Sequence, residues 1–517
     1  MKKITLLFTC IFFALSACAI KFKVDGINYT VISENTVGVN YDITPYTNEV
    51  VIPETVSYLS NNYLVSSICD SAFINNSSLT SVSLPTTVTS IGNMAFFGCT
   101  SLSNISIPVS VVNIGESAFQ NCSSIKTIAI TNTNANIGSQ AFYYCSGLVS
   151  VSIDAKTMGD AAFADCSSLA SVTIGNNLMN IGIDAFYNCT SLAGFSVDKT
   201  NPFLMDIDGV IFSKDKKTII VYPNLKGENY IIPDGVDSIA NCAFETCPKL
   251  KSVYIPNSVT AIGASAFWGD SGITSIDLPP NLRFLNSWLF RNCTGLTSVV
   301  IPDSVKGMGR DVFMNCKNLK SVQFSTSLTN IGAYAFKDCS GLTSVSIPPS
   351  VTSINIYAFS SCSNLTSLNI PSSVTIIGSN AFLFCSGLST INVNCETPPV
   401  IYSNTFTGVN MSTCTLNVPI GSKTTYMANL KWNKFSNIIE KDMNVSVNEL
   451  NQQELILNTG IGFMDIKLDK PANITIYSVE GKNIYSASLN VGNNRINITQ
   501  GLYIVIFNNL RTKILIQ

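Results

Sequence analysis

Phenylalanine, preceded by alanine or a close variant, recurs along this chain at Phe73, Phe96, Phe119, Phe142, Phe163, Phe186, Phe244, Phe267, Phe290, Phe313, Phe336, Phe359 and Phe382. The step is 23 residues almost throughout; it shrinks to 21 before Phe163 and stretches to 58 before Phe244. One period, read from Leu102, is LSNISIPVSVVNIGESAFQNCSS. A chain that repeats at this spacing places equivalent residues in equivalent surroundings. That restricts it to stacked, quasi-one-dimensional architectures.

Within the period, the motif Leu-x-x-Val/Ile-x-Ile appears as Leu148/Val151/Ile153, Leu296/Val299/Ile301 and Leu342/Val345/Ile347. Its last two apolar residues are two apart, as in a strand that faces one side inward. Proline often follows (Pro108, Pro256, Pro302, Pro348) and stops the strand, because it cannot donate the next ladder hydrogen bond. A second apolar pair, such as Val88 and Ile91, precedes a turn and then Ala-Phe-x-x-Cys. Each coil thus carries apolar groups on several sides. It cannot bury them alone, but stacked neighbours can. After the second pair stands a column of Gly92, Gly115, Gly138, Gly159, Gly182, Gly263, Gly309, Gly332 and Gly378, with Asn286 and Asn355. Glycine and asparagine tolerate positive φ, so a left-handed backbone is expected there. Cys69 and Ala240 depart from the column and mark looser coils.

This coil matches the leucine-rich-repeat pattern and resembles the 23-residue BspA-type (Treponema pallidum-type) class over roughly residues 60–395. The resemblance implies a repeat solenoid, a right-handed leucine-rich-repeat array with a parallel β-sheet, on bacterial surfaces. It further implies adhesion, coaggregation or host-matrix binding. The expected organisation is a signal segment over 1–19, a β-rich cap over 20–58, repeats over 59–395, a closing cap over 396–441 and a separate domain over 442–517. The long step holds an insert over 199–235, similar to the β-rich hairpin inserts of this family, that rejoins the array at Val236.

The N-terminus reads as an export signal: Lys2 and Lys3 precede an apolar run from Ile4 to Leu15 too short to span a bilayer. Ala17-Cys18-Ala19 fits ordinary signal cleavage, while Leu15-Ser16-Ala17-Cys18 resembles a lipobox that would lipidate Cys18. No later segment is long and apolar enough for a transmembrane helix. Residues 445–517 show short apolar strands separated by Asn and Gly, the pattern of a small β-sandwich. Ile474 to Lys482, Gly501 to Val505 and the terminal Lys513-Ile514-Leu515-Ile516 resemble a type IX secretion C-terminal sorting domain. That resemblance implies passage across an outer membrane, and it favours ordinary cleavage over the lipobox.

Histidine is absent, which removes the commonest general base and the usual zinc ligand. Only 12% of residues are charged and the net charge is −2, so nucleic acid is not an expected partner. No cofactor, metal or catalytic residue is expected. The one enzymatic alternative places acids Asp206, Asp208 and Asp215 of the insert at a site, against a plain solvated turn among Lys214, Lys216 and Lys217. Eleven cysteines follow their phenylalanine by three residues, from Cys99 to Cys385. Side chains equivalent by stacking point the same way, so buried thiols are expected rather than bridges. Cys395 and Cys414, outside that column, are the disulfide candidates.

Binding is expected on the solenoid face. The outward strand position reads Ser83, Ser106, Ala129, Ser152, Thr173 and Ser196, then Tyr254, Asp277, Val300 and Gln323, then Ser346, Asn369 and Asn392. Four consecutive coils break a bland pattern, either as a contact patch or through drift. A second column just after the phenylalanines offers Phe97, Tyr143, Tyr187 and Trp268 as aromatic anchors, if they are not packed on adjacent turns. The expected partner is a host or bacterial surface protein, or a glycan; a structural surface module is the alternative.

Overall fold

A computed structural model describes residues 20–442 and, beyond them, seven strands between 456 and 516 together with Asn490 and Ile498. The signal segment with Cys18, and Val479 to Lys482 of the sorting-like motif, lie outside the described residues. The chain divides into two compact units between Ile439 and Glu440.

The first unit is a parallel β-solenoid. Strands of the Leu-x-x-Val motif pair one coil to the next: Ile128 opposite Val151, Val151 opposite Val172, Val172 opposite Phe195. A second ladder joins the shorter strands, Ile68, Ile91, Ile114, Ile137 and Met158 in turn. The 21-residue step costs the array nothing. Ile130 pairs with Ile153 and Ile137 with Met158, so the two missing residues come out of the loop between the strands.

A third line of contact runs through the Ala-Phe turns. The Phe96 amide donates to the Ala118 carbonyl at 2.7 Å, and Phe119 to Ala141 at 2.7 Å. The rings stack almost parallel, with centroids 4.9–5.8 Å apart from Phe73 to Phe186 and 5.1–5.6 Å apart from Phe244 to Phe382. The ladder is longer than the phenylalanine repeat. Tyr46 stacks on Phe73 at the start, and Phe406 on Phe382 at the end. Phe406 is closed off by Trp432 and Phe435, with Trp432 Nε1 donating to the Pro399 carbonyl at 2.9 Å.

The glycine column is a correction. None of its members has positive φ. A methyl group at Gly138 would lie 2.6 Å from the Gly115 carbonyl carbon, and one at Gly115 would lie 2.6 Å from the Asn93 nitrogen. Glycine stands there because the coil behind leaves no room for a Cβ. The left-handed positions fall two residues before and two after each ladder phenylalanine, as at Met94 (φ 53°) and Gly98 (φ 70°) around Phe96.

The insert is built into the array. Leu204–Ile207 and Val210–Ser213 form an antiparallel hairpin, and Thr218–Val221 adds to it before pairing in parallel with Ser238–Ile239. Ile211 packs into the core on the N-terminal side, while Val210, Phe212 and Ile219 pack into the core on the C-terminal side. The hairpin is a septum between two core segments. Tyr222 then occupies a ladder position: its amide donates to the Ala243 carbonyl and its ring lies 4.9 Å from Phe244.

The second unit consists of two antiparallel sheets, of three and four strands, around Met464, Ile466, Ile474, Ile476, Leu489, Ile496 and Ile498. This is a small β-sandwich.

Gly138→Ala is expected to lower stability by about 1–3 kcal/mol, since an extra carbon must displace backbone. Met94→Gly is expected to be neutral or to stabilise by up to about 1 kcal/mol, because relief of the left-handed strain opposes the loss of chain entropy. Urea unfolding midpoints of the two variants should therefore move differently. Equal losses would contradict the assignment of the two positions.

Candidate binding surface

The outward strand column survives folding as an exposed line. Asp277, Val300 and Gln323 are direct neighbours on adjacent parallel strands, and all three are exposed. Tyr254 is 57% exposed and Val300 55%. The strand Asn229–Ile231 pairs with Ser252–Tyr254 and sets Ile231, 72% exposed, beside Tyr254. Ile231 is a member that the sequence reading missed, because it lies in the insert. Further along, the Asn392 amide donates to Asn369 at 2.5 Å and Asn417 donates to Asn392 at 2.7 Å, a side-chain ladder within the same column.

The aromatic column is different. Phe97, Tyr143, Tyr187 and Trp268 are all half-buried. Tyr143 packs edge-on against Tyr144, and burial, with the Asp165 carboxylate beside it, pushes its hydroxyl up to about 12. Trp268 lies 6.3 Å from the Tyr187 ring and carries the Arg291 guanidinium at 5.7 Å. These rings meet one another before they meet a partner. A cluster missed by the sequence reading lies two residues before the ladder phenylalanines. There Trp288 Nε1 and Arg310 Nε both donate to Asp311, Arg310 covers Tyr334 at 4.6 Å, and Tyr334 stacks on Tyr357.

The acids of the insert serve local structure. Asp206 accepts the Val197 amide at 2.8 Å, Asp208 pairs with Lys226 at 2.9 Å, and Asp215 accepts from Ser213 and the Lys217 amide.

The fifteen described cysteines are all free thiols. The expected bridge between Cys395 and Cys414 is not formed. Cys395 Sγ instead points at the Pro371 carbonyl at 3.2 Å, and Cys414 Sγ at that of Thr415. In the ladder, each thiol donates to the carbonyl of the phenylalanine one coil back, as Cys122 to Phe96 and Cys316 to Phe290, both at 3.1 Å. The cysteine is therefore more than a small hydrophobe; it ties coil to coil. Burial raises the ladder thiols, Cys99 to about 12 and Cys122 well above its ordinary value. Asn76 and Asp270 stand where the column omits cysteine; Asp270 Oδ1 accepts the Cys247 amide at 2.7 Å.

The stacked coils define a leucine-rich-repeat protein. The family model described as "BspA type Leucine rich repeat region" matches residues 66–193, 221–343 and 306–436, and the chain belongs to that family. Among solved structures, a leucine-rich repeat protein from Bacteroides ovatus is 28% identical, with a TM-score of 0.47 over 72% of this chain and 94% of that one. The pneumococcal vaccine antigen PcpA is 22% identical, with a TM-score of 0.54 over 82% of this chain and 99% of that one. The leucine-rich repeat protein of T. pallidum is 33% identical, with a TM-score of 0.31 over 34% of this chain and 86% of that one. No curated protein matches the chain. Among the described residues, no helix is long and apolar enough to cross a membrane.

Alkylation of the native protein should label Cys69 and Cys242, the two partly exposed thiols, well before any ladder cysteine; denaturant should release all fifteen. Peptide mapping reads this directly. Early labelling of Cys316 would show that the coils open.

Proposed function

We propose that this protein is an exported surface adhesin that holds a host or neighbouring-cell macromolecule against the outward line Ile231, Tyr254, Asp277, Val300 and Gln323. The observation that carries the reading is the line itself. Large and chemically varied side chains occupy one outward position on adjacent strands, exposed, on a backbone whose stability does not depend on them. A rigid patch with an aromatic anchor loses little entropy on binding. The near-neutral charge balance points to contact by shape and apolar area, so binding should be insensitive to salt. Phe97, Tyr143, Tyr187 and Trp268 fit this reading less well, since they pack on their neighbours. In this reading the β-sandwich is the export and attachment module, and Cys18 or the residue after Ala19 begins the mature chain.

A glycan-capturing module is the second reading, favoured by the part-exposed Trp288 beside Arg310. Purified matrix proteins and polysaccharides should be arrayed against wild type and the Tyr254→Ser/Asp277→Ser double variant. The adhesin reading expects protein binding that persists at high salt and weakens at least about tenfold in the double variant, the loss of one good anchor. Binding confined to polysaccharide and indifferent to both substitutions would overturn it. Mass spectrometry of the protein's ends on intact cells tests the export reading.

A further inference from the structure

The inter-coil ladder is interrupted where the insert enters, and a cavity of about 190 Å³ opens between the Phe186 turn and the Phe244 turn. Asp184, Cys242 and Glu245 line it, and their carboxylate oxygens and thiol sulfur lie within 4.8 Å of one another. Asp184 and Cys242 hold the same repeat position, two before the ladder phenylalanine, both with left-handed backbone. Glu245 directly follows Phe244.

Glu245 is only 6% exposed, yet neither of its carboxylate oxygens has a hydrogen-bond partner, and Asp184 Oδ1 has none either. Among the described residues no lysine or arginine forms an ion pair with either acid. Buried charges are ordinarily paired or bound to a metal, because desolvation without a partner is costly. Two carboxylates facing each other in a closed space make the deficit worse. Burial, with Asp184 beside it, pushes the empty Glu245 carboxyl up to about 9. The site lacks a positive charge.

We propose that this cavity binds a divalent transition-series cation of the zinc type, held by Asp184, Cys242 and Glu245, and that the ion clasps the two halves of the array across the insert. The donor set selects the ion. A thiolate beside two carboxylates suits zinc-like cations, whereas calcium and magnesium take oxygen ligands alone. Bonds of 2.0–2.3 Å place tetrahedral ligand atoms roughly 3.3–3.8 Å apart. The cluster therefore needs a contraction of about an ångström at most, within reach of the Glu245 side chain. The fourth position falls to water in the cavity or to Tyr187, whose side chain also lines it.

The full chain, stripped with chelator, should take up one equivalent of Zn²⁺ and unfold at a higher temperature with zinc present. Co²⁺ in its place should give thiolate-to-metal absorption in the near ultraviolet. Cys242→Ser should abolish that band, whereas Cys69→Ser should retain it. The near-isosteric Glu245→Gln and Asp184→Asn should each weaken zinc at least about tenfold and remove the thermal shift. Saturating Ca²⁺ should leave zinc affinity unchanged. Wild-type protein that takes up no zinc overturns the proposal and leaves a carboxyl pair sharing a proton. So does a cobalt band that persists in Cys242→Ser.

Discussion

Neighbouring coils approach to about five ångströms, and nearly every invariant of the repeat follows from that distance. At this separation the backbone of one turn hydrogen-bonds to the next, phenylalanine rings lie face to face, and a thiol reaches the carbonyl one coil back. The same closeness excludes a Cβ at the glycine column. An isolated coil would leave its phenylalanine, valine and isoleucine side chains in water, so stability is shared between neighbours. An array of this kind cannot end bluntly. Tyr46 covers the first ladder ring, and Trp432 with Phe435 covers the last.

The parts of this architecture legible in the sequence are those that repetition reinforces. Phenylalanine every 23 residues and the Leu-x-x-Val strand spacing placed the core and both sheet ladders. The glycine column was visible for the same reason, but its cause was not. Glycine answers two demands, positive φ and close approach, and periodicity does not separate them. The true left-handed positions after the phenylalanines do carry a signal: Asn75, Gly98, Asn121, Asp165 and Asn188 are all residue types that tolerate that conformation. Those before the phenylalanines, such as Met94, Trp288 and Tyr334, carry none, because the inter-coil ladder imposes the backbone against local preference. Tyr222 and Phe406 escaped notice because Val221 and Thr405 stand where the motif has alanine. The seam acids were hidden for a deeper reason. Asp184 and Glu245 are 61 residues apart in sequence, and only the folded insert brings their turns together.

The insert is where the repeat's rules relax. A hairpin wedged between two core segments breaks the phenylalanine stack between Phe186 and Tyr222. Residues at that break no longer face an identical copy, so side chains that would be intolerable inside a regular ladder can stand there. Polar groups buried elsewhere in the ladder show the contrast. Asp270 has one oxygen occupied by the Cys247 amide, whereas Glu245 has neither occupied. The seam has the open volume and the unmet polarity together; the regular coils have neither.

The same reasoning bounds the exposed patch. Outward side chains contribute little to the core, so they can vary without loss of fold. Variation is nonetheless confined to the rungs from Ile231 to Gln323. On one side the sheet is interrupted by the hairpin, whose Gly209 carbonyl caps the Phe195 amide on the preceding strand. On the other, Asn369, Asn392 and Asn417 bind one another along the column and leave their amides committed. Between those limits the outward groups change from apolar to aromatic to acidic to apolar to amide. A ligand laid along the sheet would meet a different chemistry at every step of about 4.8 Å, which a uniform serine column could not offer.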